Sequence, residues 1–193
     1  GQTILSNGQV LCAYHNRQKG AGLPDVSEPS TPTPDRVREH HPPSYTSSEA
    51  EGRRWLTPVG TRGNLSPLEV VEQTVGEGRF GFSKDAIRQM RLRPGDRVVF
   101  YASQQGTVAE AQVACSPYYT EAPGEVLGIS NAENFPYIVN LDGVNLFDVP
   151  LEITEEVRQQ LDAFTDKDAS DQWGWFVVTA RKLTPSDFSM LTR

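Results

Sequence analysis

The chain of 193 residues has few of the side chains from which catalytic and metal sites are usually built. It contains three histidines and two cysteines, and we find no Ser-His-Asp set, no phosphate loop and no paired metal motif. No apolar run reaches the 18 residues that indicate a membrane helix, and no secretory signal opens the sequence. With two distant cysteines, we expect a reducing, cytoplasmic setting. These absences favour a binding protein over a stand-alone enzyme and predict no membrane contact.

Charge is distributed unevenly along the chain. The net charge is −7, which argues against non-specific coating of nucleic acid. Residues 79–97 nevertheless hold six basic and two acidic side chains, a local net of +4, whereas residues 152–171 hold two basic and seven acidic ones, a net of −5. A basic patch on an acidic body is the pattern of a phosphate-binding surface. A solvated helix face is the alternative.

Proline divides the sequence into three parts. Six of the 14 prolines lie within residues 23–52 among Ser, Thr, Asp and Glu. Such a composition does not bury enough apolar surface to offset the entropy of ordering. We therefore predict a segment at 1–22, a proline-rich linker at 23–52 and a folded domain at 53–193.

Short strands and helices alternate through the predicted domain. Apolar runs and alternation predict strands at 54–59, 98–102, 107–115, 137–150 and 173–180, with a short extended piece at 79–82. Capping residues predict helices that begin near Ser66, Ser83, Thr154 and Thr184, and residues 116–136 form a long loop. This order predicts an α+β domain whose small, curved sheet closes toward a barrel flanked by short helices, preceded by an extended N-terminal segment.

The N-terminal segment resembles the last third of an HNH nuclease finger. In Asn7-Gly-Gln-Val-Leu-Cys12-x-x-His15-Asn16, the resemblance gives Asn7 the middle-asparagine role and places Asn16, or else His15, at the last metal position. Cys12 and His15 would be half of a zinc knot. A complete finger needs a divalent metal and a general base that would precede residue 1, so we expect this fragment not to cleave DNA although its parent would. A short helix with an ordinary cysteine and histidine is the alternative.

The predicted domain resembles the EVE domain of the PUA-like superfamily, a relative of the YTH readers of methylated adenine. The resemblance rests on Trp55-Leu, Arg79-Phe-Gly-Phe-Ser83, Gly95-Asp-Arg-Val-Val-Phe-Tyr101 and Ser116-Pro-Tyr-Tyr119. It implies a pocket for one base flipped out of its stack, and no cofactor. Together with the HNH-like segment, it implies double-stranded DNA containing 5-methyl- or 5-hydroxymethylcytosine as the partner, in a modification-dependent HNH restriction endonuclease. An RNA-binding PUA-like module is the alternative.

Two sets of residues are predicted to bind the nucleic acid. The base pocket is expected to contain Trp55, Phe80, Phe82, Ser83, Tyr101, Ser103, Ser116 and Asn131, with aromatic rings for stacking and polar groups for the edge of the base. Phosphates are expected to contact Lys84, Arg88 and Arg91. Aromatic residues are often buried in cores, which is the alternative for Trp55, Phe80 and Tyr101.

Overall fold

The computed structural model describes residues 52–167 and 173–192. The strands within these residues are β1 (Arg54–Val59), β2 (Arg79–Phe82), β3 (Arg97–Ala102), β4 (Gly106–Val113), β5 (Tyr118–Tyr119), β6 (Tyr137–Leu151) and β7 (Arg181–Leu183). The helices are α1 (Pro67–Thr74), α2 (Lys84–Met90), α3 (Pro123–Leu127), α4 (Glu155–Gln160) and α5 (Pro185–Leu191). Two short 3-10 helices, Asp162–Phe164 and Gly174–Phe176, complete these elements.

The strands form a single curled sheet in the order β2-β6-β4-β3-β1-β7, with β5 beside β6. β1 and β3 run parallel, and the other described pairs are antiparallel. The long β6 pairs with β2 and β5 through its first residues and with β4 through the rest. Register shifts interrupt the β3–β4 and β4–β6 pairs, and such bulges bend strands. The result is a half-barrel with a few short helices, which confirms the predicted α+β class.

β1 and β3 are neighbouring interior strands of the sheet and are covered on both faces. Their alternate residues enter two apolar clusters: Trp55 and Phe100 belong to one, and Leu56 and Tyr101 to the other. Strands that are covered on both sides are expected to be apolar throughout rather than alternating. This explains why five of the six residues of β3 are buried.

Polar side chains cap the helices as the sequence predicted. Ser66 and Glu69 form a reciprocal capping box at α1, and the Ser83 hydroxyl accepts a hydrogen bond from the Ala86 amide at α2. Thr184 caps α5 by accepting a hydrogen bond from the Asp187 amide. Each cap satisfies an amide that the first turn of a helix leaves without a partner.

The predicted strand at 173–180 is wrong. This segment contains the 3-10 helix Gly174–Phe176, and the antiparallel partner of β1 is β7, which begins at Arg181. The alternation of Trp173, Trp175 and Val177 suggested a strand, but the aromatic rings pack around Phe164 and Tyr101 instead. Ring centroids are 5.0 Å apart between Phe164 and Trp175, and 6.4 Å apart between Tyr101 and Trp173.

The predicted segment 1–22 and the linker lie outside the described residues, except for Gly52. The same holds for the predicted metal-site residues Asn7, Cys12, His15 and Asn16. Within residues 52–167 and 173–192, no helix has the length and apolar character needed to cross a membrane.

Candidate functional site

A cavity of about 260 Å³ opens where β1, β2 and α2 meet. Its lining residues are Thr57, Pro58, Arg62, Phe80, Gly81, Phe82, Ser83, Asp85, Ala86, Gln89, Phe135, Val178, Thr179 and Ala180. The volume lies just below the roughly 300–1,000 Å³ of sites for drug-sized ligands. A cavity of this size suits one planar ring system rather than a whole nucleotide.

Helix α2 presents one side to the cavity and its basic residues to solvent. Ser83, Asp85, Ala86 and Gln89 line the cavity, and the Gln89 amide donates a hydrogen bond of 2.8 Å to the Ala180 carbonyl across it. The basic residues of this segment, Lys84, Arg88 and Arg91, are exposed. Three positive charges therefore lie on the helix that forms one wall.

Arg62 is a buried cation in the lining. The residue is only 6% exposed, and its guanidinium carbon lies 3.6 Å from the ring centroid of Phe135 and 4.8 Å from that of Phe80. Its Nη2 donates a hydrogen bond of 3.0 Å to the Gly81 carbonyl. Burial lowers the pKa of Arg62 from its ordinary value to about 10, so the side chain is still charged at neutral pH.

Two buried polar atoms of the lining have no hydrogen-bond partner. One is Arg62 Nη1 and the other is the hydroxyl of Thr57, a residue that is 3% exposed. Buried polar groups are nearly always paired, and leaving one unpaired costs about 1–3 kcal/mol. Both residues line the cavity, so a small shift of either side chain would bring its unpaired atom to a bound molecule.

Phe80 and Phe82 contribute to the cavity mainly as packed aromatic residues. Each is 2% exposed, and their ring centroids lie 5.0 Å apart in an edge-to-face arrangement. Phe80 also packs against Phe100 at 5.0 Å. The two rings form a rigid apolar wall and expose only a small part of their surface to a ligand.

The structure brings three of the eight predicted pocket residues together in this cavity: Phe80, Phe82 and Ser83. Tyr101 lines a second cavity of about 360 Å³ with Gln104, Glu152 and Trp173, where burial raises its pKa.

The other four predicted residues line neither cavity. Trp55 is buried in the core beside β3, and the Ser103 hydroxyl donates a hydrogen bond of 3.0 Å to the Val59 carbonyl. Ser116 and Asn131 are exposed.

The sequence reasoning missed Arg62 and Thr57. Arg62 follows the glycine that ends the first strand, in a stretch that looks like an ordinary turn, and Thr57 looks like a routine strand residue. A possible signal for Thr57 was its position among the apolar residues of a strand that is covered on both faces. Nothing in the local sequence marks Arg62, because its burial results from contacts with Phe80 and Phe135.

In the part of the chain that the structure describes, no cluster of three or more His, Cys, Asp or Glu side chains is placed to hold a metal ion.

This chain is similar to several solved protein structures. No family model matches the chain, and no curated protein matches it. The N-terminal domain of Thermococcus gammatolerans McrB, bound to m5C DNA, has 16% identity and a TM-score of 0.45, with 72% of this chain and 94% of that chain covered. The mmi1 YTH domain in complex with RNA has 11% identity and a TM-score of 0.47, with 73% and 79% covered. Rpa0253 from Rhodopseudomonas palustris has 14% identity and a TM-score of 0.42, with 72% and 90% covered. We assign no function to this chain from similarities at this level.

Proposed function

We propose that this chain is a PUA-like nucleic-acid-binding module that takes one modified cytosine, flipped out of double-stranded DNA, into the cavity between β1, β2 and α2. The observation that carries the proposal is the position of the cavity beside a basic helix. Lys84 and Arg88 are exposed one helical turn apart on α2, and Ser83, Asp85 and Ala86 of the same segment line the cavity. A base in the cavity would bring its own phosphates toward these cations.

Energetics support a site of this kind. Flipping a base out of a duplex costs a few kcal/mol. Phosphate contacts by Lys84 and Arg88, with the release of counterions, supply sequence-independent affinity. Contact with the apolar wall and hydrogen bonds to the edge of the base supply the rest. The chain is acidic overall, at −7, so we expect the attraction to come from the basic helix rather than from the whole surface.

The choice of modified cytosine in DNA rests on the sequence. The EVE-like motifs and the HNH-like segment together are typical of modification-dependent restriction, so we further propose that the module delivers an HNH endonuclease to modified DNA. The same cavity and helix also suit an unpaired RNA base, which is the second candidate. A complete nuclease would hold its metal in the HNH finger, which the predicted residues within 1–22 would help to form.

A gel-shift panel tests the proposal. Duplexes of one sequence carrying cytosine, 5-methylcytosine or 5-hydroxymethylcytosine are compared with the matching RNA. We expect tighter binding to at least one modified duplex than to the unmodified duplex and the RNA. Equal binding to the three duplexes, or preference for RNA, would refute the assignment to modified DNA.

A pair of matched variants tests the location of the site. Val178 is 71% exposed and lines the cavity, whereas Val149 is 76% exposed on β6, outside it. Val178→Glu places a negative charge where phosphates would approach, so we expect weaker binding to every nucleic acid, whereas Val149→Glu should leave binding close to that of the parent chain. Equal effects of the two substitutions would show that the site lies elsewhere.

A further inference from the structure

The cavity wall contains a cation whose charge is not neutralised by a carboxylate. Arg53 pairs with Asp96 and Arg97 pairs with Glu110, whereas no described carboxylate forms an ion pair with Arg62. Its contacts are the two aromatic rings and one carbonyl, which leave Nη1 without a partner. An arginine donates hydrogen bonds and accepts none. A hydrogen-bond acceptor is therefore the partner that Nη1 lacks.

Thr57 supplies the second unpaired group. It lies on the face of β1 that carries Trp55 and Val59 into the core, and its hydroxyl has no partner in the described structure. Valine has nearly the same shape and is favoured in a buried strand. A threonine here is a costly choice for the core and a useful one for a ligand, because its hydroxyl both donates and accepts.

We infer that Arg62 Nη1 and the Thr57 hydroxyl read the edge of the inserted base and that they select cytosine over adenine. This inference rests on the proposed function, since it names the chemistry of the same cavity. Cytosine presents a carbonyl oxygen, O2, next to a ring nitrogen, N3, and both accept hydrogen bonds. Adenine has no carbonyl, and its six-membered ring presents an amino group beside N1, so it offers Arg62 a weaker acceptor.

The selection is compatible with a modification at C5. That carbon lies across the pyrimidine ring from C2, so hydrogen bonds to O2 and N3 leave a methyl group free to contact apolar parts of the lining such as Phe82 and Ala86. Guanine also carries a carbonyl and a ring-nitrogen acceptor. Its two fused rings need more of the roughly 260 Å³ available, which favours the single-ring base.

Thr57→Val is the most informative variant because it removes one hydroxyl and keeps the shape. The hydroxyl has no partner within the protein, so we expect the melting temperature to stay the same or rise. Loss of a hydrogen bond to the base should weaken binding to a 5-methylcytosine duplex by about 2- to 10-fold. Thr74→Val is the matched control. Thr74 is also fully buried, but its hydroxyl donates a hydrogen bond of 2.7 Å to the Val70 carbonyl outside the cavity, so this change should lower the melting temperature and leave binding unchanged.

Arg62→Lys tests the second group. Lysine keeps the charge but lacks the planar fork, so it cannot reproduce the contact to Gly81 and the free donor together. We expect affinity for the 5-methylcytosine duplex to fall by about 10- to 100-fold, because the base would lose one hydrogen bond from a charged donor. Thr57→Val keeps the inference testable if Arg62→Lys does not fold.

Fluorescence anisotropy with the full chain and three labelled duplexes separates the possible failures. The duplexes share one sequence and carry cytosine, 5-methylcytosine or N6-methyladenine at the central position. The inference requires that the parent chain bind the 5-methylcytosine duplex more tightly than the N6-methyladenine duplex and that both substitutions reduce this affinity ratio. If the parent binds 5-methylcytosine preferentially and either variant keeps the parent's ratio of 5-methylcytosine to N6-methyladenine affinity, the inference is wrong and the proposed function stands. If the parent binds no duplex, or binds all three equally, the proposed function itself is wrong. A preference for N6-methyladenine overturns both.

Discussion

Asp96 joins the first residues of the domain to the turn before β3, and its replacement should be strongly destabilising. The carboxylate is 3% exposed. Its Oδ1 accepts hydrogen bonds from the Arg53 amide at 3.0 Å and from Arg53 Nε at 3.2 Å, and its Oδ2 accepts from Arg53 Nη2 at 2.6 Å and from the Arg93 amide at 2.9 Å. Four donors therefore converge on two oxygen atoms. This is the aspartate of the Gly-Asp motif on which the sequence resemblance depends.

Asp96→Asn keeps the shape but replaces one acceptor atom with an amino group. Whichever way the amide turns, two of the four donors then face a donor instead of an oxygen. Hydrogen bonds to charged groups contribute about 1.5–3 kcal/mol each, and disrupting a buried pair costs about 3–5 kcal/mol. Because the Arg53 side chain is 30% exposed and water is able to replace part of its contact, we expect a loss of about 3 kcal/mol. Urea denaturation measures this as a lower midpoint with an unchanged slope.

Glu110→Gln is the matched control for this measurement. Glu110 pairs with Arg97, whose side chain is 45% exposed, and pairs of this kind contribute about 0–1 kcal/mol. We expect its unfolding midpoint to stay close to that of the parent chain. If Asp96→Asn lowers the free energy of unfolding by less than 1 kcal/mol, or by no more than Glu110→Gln does, the four hydrogen bonds do not hold the domain as described.

Three further predictions concern helix α2, strand β2 and the first turn of helix α5. Arg88→Gln should weaken binding to all duplexes alike and reduce the slope of log affinity against log salt by about 0.9; a loss confined to the modified duplex would contradict a phosphate contact. Gly81→Ala should lower the free energy of unfolding by about 1–3 kcal/mol, because the added Cβ would lie 2.7 Å from Leu127 Cδ1 and 3.0 Å from the Phe135 carbonyl oxygen; an unchanged urea midpoint would show that the Leu127 side chain and the backbone at Phe135 adapt. Burial raises the pKa of the Asp187 carboxyl, which also accepts a hydrogen bond from the Asp162 amide. Its contribution to stability is therefore greatest below the ordinary carboxyl pKa and falls as pH rises through the raised value, so the parent should lose stability relative to Asp187→Asn as pH rises above about 4, the ordinary pKa of the group; a constant difference would refute this.

Local sequence signals predicted most of the elements correctly. Ser66 and Ser83 mark the helix starts because their hydroxyls replace missing backbone partners, an effect that operates within four residues. The apolar run at Val98–Ala102 indicated a buried strand. The run is apolar throughout because both faces of the strand are covered. The prediction of a strand at 173–180 was wrong. The alternation in Trp-Gly-Trp-Phe-Val does not distinguish a strand from a tight helical turn whose aromatic rings pack into one cluster.

The residues that line the cavity were harder to predict from the sequence than the strands that form it. Phe80, Phe82 and Ser83 were predicted because their motif is continuous in sequence. Arg62 and Thr57 belong to the same wall only because the fold brings the residues after β1 next to Phe80 and Phe135, which are 18 and 73 positions farther along the chain. Burial of this kind depends on tertiary contacts that no short window of sequence contains.

The most direct test of the central claim is the location of the bound base. An isotope-labelled chain titrated with a 5-methylcytosine duplex reports binding through changes in its amide NMR signals. If the base enters the cavity between β1, β2 and α2, the largest changes occur at Gly81, Ser83 and Ala86. Changes concentrated at Gln104 and Gly106 instead, beside the cavity that Tyr101 lines, would contradict the account.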